Sequence, residues 1–414
     1  MQVSKLVLWS AILFPVMGLA DEFHNVNQIV GDRSIGMAGA YGAVSDDASG
    51  MVFNPAGIAF SNSASMSANV NTLQWSQITY QEALQGKFDY QRSSYQVLPN
   101  FFGVVQPFGD WKVGFSSAID DSTQEKQYQT FENLVGIQRF VVNLNNLQTT
   151  YNVGPTIAKK LSNTVAIGVS LPLHYHTSEF ISNQSVLFEA SSNNQLEWSN
   201  IYRRKTEQGL RPKLGIIFNP LPKVSLGATI DHTVVFAAAQ TLQESQCSTN
   251  TTDVGCSSQI NPEIINYSLI PRYPIQVRIA GAWFPNSAVL VSGDLIYNTA
   301  VKATDGFPAK EITLDGALGL EWYWTPRWAL RSGVYTSMAN TPELNNTGTY
   351  QNPHINRYGS TFSIARFSQG SSISLGLMAL YGEGQSQLFG SIPNLLQSTT
   401  SLDLNAFFTT SYRY

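Results

Sequence analysis

Leu402-Asp-Leu-Asn-Ala-Phe-Phe-Thr-Thr-Ser-Tyr-Arg-Tyr414 closes the chain. Its even positions read Leu402, Leu404, Ala406, Phe408, Thr410, Tyr412 and Tyr414; its odd positions read Asp403, Asn405, Phe407, Thr409, Ser411 and Arg413. Side chains on a strand alternate between two faces, so this stretch has one apolar face, one largely polar face and a terminal aromatic. That is the pattern of the last strand of an outer-membrane barrel. An edge strand of a soluble sandwich alternates in the same way, so the choice depends on the rest of the chain.

The N-terminus carries the marks of a secretory signal over residues 1–20. Lys5 supplies the positive charge, Leu6 to Phe14 an apolar run, and Gly18-Leu19-Ala20 a small-residue cleavage site before Asp21. The run is too short to cross a bilayer as a helix, and no longer apolar run follows it. Charged residues make up 13% of the chain, about half the share usual in soluble proteins, while aromatics reach 12%. A barrel wall with one lipid-facing residue in two accounts for that balance. Loss of Lys5 with the signal takes the net charge from -4 to -5, which gives no footprint for nucleic acid.

Turn signals fall at Pro107-Phe-Gly-Asp110, Leu161-Ser-Asn163, Asn219-Pro-Leu-Pro222, Pro285-Asn-Ser287, Thr325-Pro-Arg327 and Ser368-Gln-Gly370. Longer polar connections lie near 80–93, 120–145, 181–197, 241–265, 303–310, 338–353 and 383–398. Short and long connections alternate, as periplasmic turns and external loops do in bacterial barrels, and they separate about fourteen strands. Four strands show the faces clearly. Ile312, Leu314, Leu318, Leu320, Trp322 and Trp324 oppose Asp315, Glu321 and Tyr323. Val165, Ile167, Val169, Leu171, Leu173 and Tyr175 oppose Ser170, His174 and His176. Val289, Val291, Leu295 and Tyr297 oppose Ser292, Asp294 and Asn298. Val277, Ile279 and Trp283 oppose Gln276 and Arg278. Charges keep to the inward face, where lipid exposure of a midplane Arg or Lys would cost about 2–4 kcal/mol. Aromatics such as Trp283, Trp328 and Tyr381 gather at strand ends, where a girdle belongs.

The sequence therefore predicts an all-β fold, a transmembrane antiparallel barrel in a bacterial outer membrane. Its C-terminal strand would be read by the barrel-assembly machinery, its wall would meet lipid and lipopolysaccharide, and a monomer is expected. Leu290, Ile296, Met378, Leu380 and Phe407 fall on the inward face, where a wet pore has little use for them. They suit either a conduit for apolar molecules or packing against a plug. Cys247 and Cys256, in a polar external stretch, read as a loop disulfide.

Residues 21–62 do not alternate like strands, and the barrel is expected over 63–414. Small residues with Asp, Ser and Asn caps suggest short helices and turns. The run Gly36-Met-Ala-Gly-Ala-Tyr-Gly42-Ala, then Asp46-Asp47-Ala48-Ser49, then Phe53-Asn54-Pro55-Ala56-Gly57 resembles the N-terminal hatch of FadL-type long-chain fatty-acid transporters and their hydrocarbon-transporting relatives. The resemblance implies a fourteen-stranded barrel plugged by this hatch, with Asp46, Asp47 and Phe53 to Gly57 in its gating part. It implies passive uptake of a hydrophobic small molecule through a pocket above the hatch and out sideways at a kinked third strand. That strand would run from Lys112 to about Ser122, with Gly114, Asp120 and Asp121 as the residues of the opening. Arg278, Arg331 and Lys213 point inward and suit either a ligand carboxylate or a structural ladder with Asp294, Asp315, Glu321 and Asp403. An adhesin-like barrel and a general solute porin are the other readings.

Other chemistry is poorly supported, and no cofactor is expected. His174 and His176 share a face but lack a third metal ligand in sequence. Ser170 and His174 stand roughly 13 Å apart along a strand, too far for a nucleophile–base bond. The glycines of the hatch lack the Lys-Ser/Thr of a phosphate loop.

Overall fold

The computed structural model describes residues 23–61, 63–85, 87–189, 196–248, 263–304, 306–345, 351–388 and 396–414. The segment read as a signal peptide lies outside them. One antiparallel sheet closes on itself through the pairing of the first and last strands. In chain order its segments are β1 (Ser65–Leu84), β2 (Phe88–Phe108), β3 (Trp111–Phe131), β4 (Ile137–Lys160), β5 (Val165–Ser170), β6 (Leu173–Phe188), β7 (Leu196–Leu210), β8 (Lys213–Leu221) and β9 (Val224–His232). They continue as β10 (Val234–Ser248), β11 (Glu263–Tyr267), β12 (Ile275–Asn286), β13 (Val289–Asn298), β14 (Thr313–Thr325), β15 (Trp328–Ser337), β16 (His354–Ser368), β17 (Ser371–Ser386) and β18 (Gln397–Arg413). Four successive staves are each built of two segments, β5–β6, β8–β7, β9–β10 and β12–β11, so eighteen segments make a barrel of fourteen staves.

Three of the four splits share one physical cause. The splits fall at Pro172, Pro212, Thr233 and Pro274, and three of these positions have no N–H to give the ladder. Neighbouring strands bend together there: the amides of Leu171, Arg211 and His232 donate to the carbonyls of Pro155, Pro172 and Pro212 at 3.0, 2.9 and 3.3 Å.

The six tight turns lie where the sequence places them. Two connections read as long do not. β1 runs to Leu84 and β2 starts at Phe88, while β3 runs to Phe131 and β4 starts at Ile137. These strands reach 20 to 24 residues, about twice what crossing a bilayer takes. The upper half of β3 is polar on both faces, as Ser122-Thr-Gln-Glu-Lys-Gln-Tyr-Gln129, so hydrophobic alternation cannot reveal it, and the apolar cluster of Tyr80, Tyr90, Phe131 and Phe140 at the strand ends forms only between strands. The third strand is correspondingly Trp111–Phe131, not Lys112 to about Ser122.

Outward side chains are apolar and uncovered: Leu314, Leu318, Leu377 and Ile279 are 61–64% exposed. A patch of that extent on a soluble monomer would be an association site; on a barrel it is the lipid face. Trp324 stacks on Trp328 and Tyr412 on Tyr414 at the turn end, with centroids 6.2 and 6.0 Å apart. The inward faces are as expected in all four strands: Gln276, Asp294, Asp315, Glu321, His174 and His176 are buried. Met378, Leu380 and Phe407 belong to the apolar core shared with the N-terminal segment, Leu290 clusters with Met37 and Ala43, and Ile296 lines a cavity.

Tyr414 is tied in by its amide, which donates to the Ala64 carbonyl at 3.0 Å next to the β1–β18 closure. Deletion of Tyr414 removes that bond and the outermost aromatic. The amount of heat-modifiable, folded barrel recovered from the outer membrane should fall several-fold, as read on unheated gels; unchanged recovery would remove the role of the terminal aromatic.

Candidate functional site

The lumen is occupied by the N-terminal segment. Its elements are α1 (Asp32–Gly36), α2 (Gly50–Phe53) and a 3-10 turn over Pro55–Phe60. Asn54 organises the last two. Its backbone is extended, its Oδ1 accepts from the Ala56 amide at 3.1 Å, and Pro55 takes the first 3-10 position, where its missing N–H costs nothing. Its Nδ2 donates to the Gly42 carbonyl at 2.8 Å and to Ile216 of β8 at 3.0 Å, joining two hatch turns to the wall. The wall meets this segment with glycine. A Cβ at Gly215 would lie 2.1 Å from Asn54 Oδ1, and one at Gly227 would lie 2.3 Å from the Gly42 carbonyl oxygen. Larger residues there would push the hatch off the wall.

Charge does the rest of the anchoring. Arg33 binds Glu321 of β14 through Nε at 2.8 Å and Nη2 at 2.5 Å, and binds Asp46 at 3.0 Å. Glu321 also takes Arg331 of β15 at 2.8 Å, and Arg331 returns to the hatch at Asp32, 3.3 Å away. Asp32 is buried and further accepts from Ser372, Ser374 and Thr409. Burial disfavours its charge, but Arg331 and the three hydroxyls outweigh that and hold the carboxyl below its ordinary range. Asp47 caps Ser49 through its amide at 2.8 Å and its hydroxyl at 2.5 Å. Crowding by hatch atoms still pushes Asp47 up to about 6, with Asp46 and Asp32 adding to the effect.

Before α1, residues 23–30 cross the lumen as a strap. The Asn340 amide donates to the Phe23 carbonyl at 2.7 Å, Ser337 Oγ donates to the Val26 carbonyl at 2.6 Å, and the Gln28 amide donates to the Asp120 carbonyl of β3 at 3.1 Å. Asp120 is where β3 bulges against β4, between Ile119 and Asp121. The β2–β3 ladder runs from Phe108–Trp111 only to Phe101–Ala118. Above that level side chains hold the two strands. Gln96 Nε2 donates to the Ser122 carbonyl at 3.1 Å, Gln129 Nε2 to the Gln91 carbonyl at 2.5 Å, and Arg92 pairs with Glu125. The wall thus has a seam at the third strand, starting at the bulge.

A cavity of about 860 Å³ lies over the hatch, within the size range of small-molecule sites. The strap, the Asp120–Asp121 bulge, Phe180, Leu242, Ile296 and Phe307 contribute to its lining. Of the two arginines expected there, Arg278 lines it and pairs with Asp294 at 2.7 Å, whereas Arg331 is 2% exposed and serves the hatch network instead. Lys213 also lines it, bound to Asp231 at 3.2 Å. His174 and His176 line the same cavity. Gly114 lies below the bulge, and a Cβ there would meet Met51 Sδ at 2.4 Å. Cys247 is disulfide-bonded; Cys256, the other cysteine of the chain, lies outside the described residues. Asp32 and Arg33 went unseen in the sequence because their wall partners, Arg331 and Glu321, lie 299 and 288 residues away.

No family model and no curated protein sequence matches the chain. Solved structures do. A FadL homologue of Pseudomonas aeruginosa is 13% identical with a TM-score of 0.65, covering 94% of this chain and 99% of its own. The toluene transporter TodX of P. putida is 13% identical, with a TM-score of 0.64 and coverages of 93% and 98%. The toluene transporter TbuX of Ralstonia pickettii is 12% identical, with a TM-score of 0.62 and coverages of 94% and 99%. Over nearly its whole length the chain has the FadL-type barrel fold.

Proposed function

We propose that this chain is a passive outer-membrane channel through which hydrophobic small molecules, such as long-chain fatty acids or hydrocarbons, enter the cell. The ligand occupies the cavity over the hatch and leaves sideways through the β2–β3 seam, without energy coupling and without covalent chemistry. One observation carries this reading: the cavity reaches Asp120 and Asp121, at the level where the backbone ladder between β2 and β3 stops. A greasy molecule gains nothing by crossing a wet pore, and an opening in the wall delivers it to lipid beneath the lipopolysaccharide layer. The Gln28 amide of the strap donates to the Asp120 carbonyl, which supports a coupling of the N-terminal segment to that exit. The filled lumen speaks against a general porin.

A strain lacking the gene should take up labelled oleate or toluene several-fold more slowly than its complemented parent, while labelled sugar uptake stays equal. Equal uptake of all three would favour an adhesin-like barrel; loss of sugar uptake would favour a porin.

A further inference from the structure

The β2–β3 seam is not the one interruption of the wall. Between the stave β9–β10 and the stave β12–β11, His232 pairs with Ile275 below and Gln240 pairs with Tyr267 above. Seven residues intervene on each side, Thr233 to Ala239 and Ser268 to Pro274, and no ladder pair joins them among the described residues. Equal counts mean that the register is the same above and below. The strands have not slipped; between the two paired stretches the wall has an unladdered slot, roughly 23 Å long at strand spacing. Pro271 and Pro274 lack the N–H groups that would help to zip it shut.

Both edges of the slot reach the cavity, through Thr233 on one side and Pro271, Arg272, Tyr273 and Pro274 on the other, and so does the closing pair Gln240 and Tyr267. Outside, Val234, Phe236 and Ile270 are 49–57% exposed beside the lipid-facing Ile230 and Ile275, and Leu269, 38% exposed, lies against the cavity-lining Gly306 at the rim of the slot. Above it β10 turns polar, as Gln240, Thr241, Gln243 and Glu244, so the slot sits at the upper edge of the apolar belt. Tyr273 stands across it, its hydroxyl donating to Glu207 at 2.8 Å and its ring edge-on to His174.

The charge behind the slot has one sign in excess. Eight Lys or Arg line the cavity against four Asp or Glu. Four of these cations, Lys205, Arg211, Lys213 and Arg278, are paired with Glu207, Asp231, Asp231 and Asp294 at 2.7–3.2 Å. Arg272 and Lys302 have no carboxylate in ion-pair range among the described residues. We propose that this slot is a second lateral portal, through which a single-chain amphiphile with an anionic head group passes from the outer leaflet into the cavity, its head group led by Arg272 and Lys302 and its chain sliding over Val234, Phe236, Leu269 and Ile270. The proposal rests on the cavity being the ligand site of the transport reading above. It divides the wall into a portal facing the outer leaflet and a separate seam for release.

The test uses the full barrel in liposomes, with benzophenylalanine placed at Leu269 and, as a control lower on the wall, at Ile279. Irradiation with labelled palmitate should label position 269 at least fivefold more than 279, and the Arg272→Ala/Lys302→Ala pair should abolish that excess. Labelled hexadecanol, with the same chain and no charge, should show no such dependence. Cross-linking Ala237→Cys to Ile270→Cys with a short bis-thiosulfonate after assembly should slow palmitate uptake at least fivefold, with recovery on reduction. Equal labelling at 269 and 279, or labelling indifferent to the two cations, overturns the portal whatever uptake does. Slot labelling that depends on charge, in a protein that transports nothing, would keep the portal as a binding site and sink the transport reading instead.

Discussion

Joining β2 to β3 across their seam should stop release of the ligand and cut uptake by an order of magnitude or more. The positions are Gln96→Cys and Ser122→Cys, whose native side chains already meet across the gap, with Ser122 Oγ donating to Gln96 Oε1 at 3.3 Å. A short bis-thiosulfonate spans strands that stand wider than a ladder. The reaction follows assembly, so folding is not at issue. The large effect is expected because side-chain bonds are what hold the strands there, and the neutral ones contribute only about 0.5–1.5 kcal/mol each beside the single Arg92–Glu125 pair. Such a closure can open thermally, whereas a covalent bridge cannot. Binding of the ligand to the cavity in detergent should be unchanged, and reduction should restore uptake. Full uptake in the cross-linked protein would mean that ligand leaves by another path and that the ladder gap is only a feature of the extracellular extension.

The membrane-crossing half of this molecule was legible because lipid imposes a rule on every second residue. Leu314, Leu318 and Leu320 face out and Asp315 and Glu321 face in for the same reason, and the turns between strands are marked by Pro, Gly and Asn. That rule lapses outside the bilayer. β3 beyond Ser122 and β2 before Asn100 bury polar side chains such as Arg92, Gln96 and Glu125 on their inner face, so their strand character left little hydrophobic period and two hairpins read as loops. The hatch motif from Gly36 to Gly57 could be recognised locally, and the capacity of the Asn54 amide for tying turns to a wall follows from its chemistry. Which wall atoms it would meet could not be read, nor could the purpose of Gly215 and Gly227, since a glycine in a strand is equally a bulge or a site of close approach. The roles of Arg278 and Arg331 separate only in three dimensions. Both are inward arginines in sequence; one borders the cavity and the other is sealed between Glu321 and Asp32.

Glu321→Ala should unseat the hatch while leaving the barrel assembled. The carboxylate holds two guanidinium groups, Arg33 of the hatch and Arg331 of the wall, and is itself fully buried. Breaking a buried pair by removing one partner costs about 3–5 kcal/mol, because the abandoned charge stays where water cannot reach it. Here two charges lose a partner, and each keeps a weaker one: Asp46 for Arg33, and Asp32 for Arg331, at 3.0 and 3.3 Å. The cheapest relief is for α1 to leave the wall so that Arg33 reaches solvent. The ladders of β14 with β13 and β15 run through backbone groups and survive, so heat modifiability should match the parent. Conductance across planar bilayers should rise at least tenfold, and a protease added from the turn side should cut between Asp32 and Gly57. Asn54→Ala gives a graded comparison, since it removes three neutral bonds, to Gly42, Ile216 and Ala56, of about 0.5–1.5 kcal/mol each. Its conductance should fall between those of the parent and Glu321→Ala, with altered ligand uptake. If Glu321→Ala conducts and resists protease as the parent does, the ion network does not seat the hatch, and packing against the wall glycines alone must hold it.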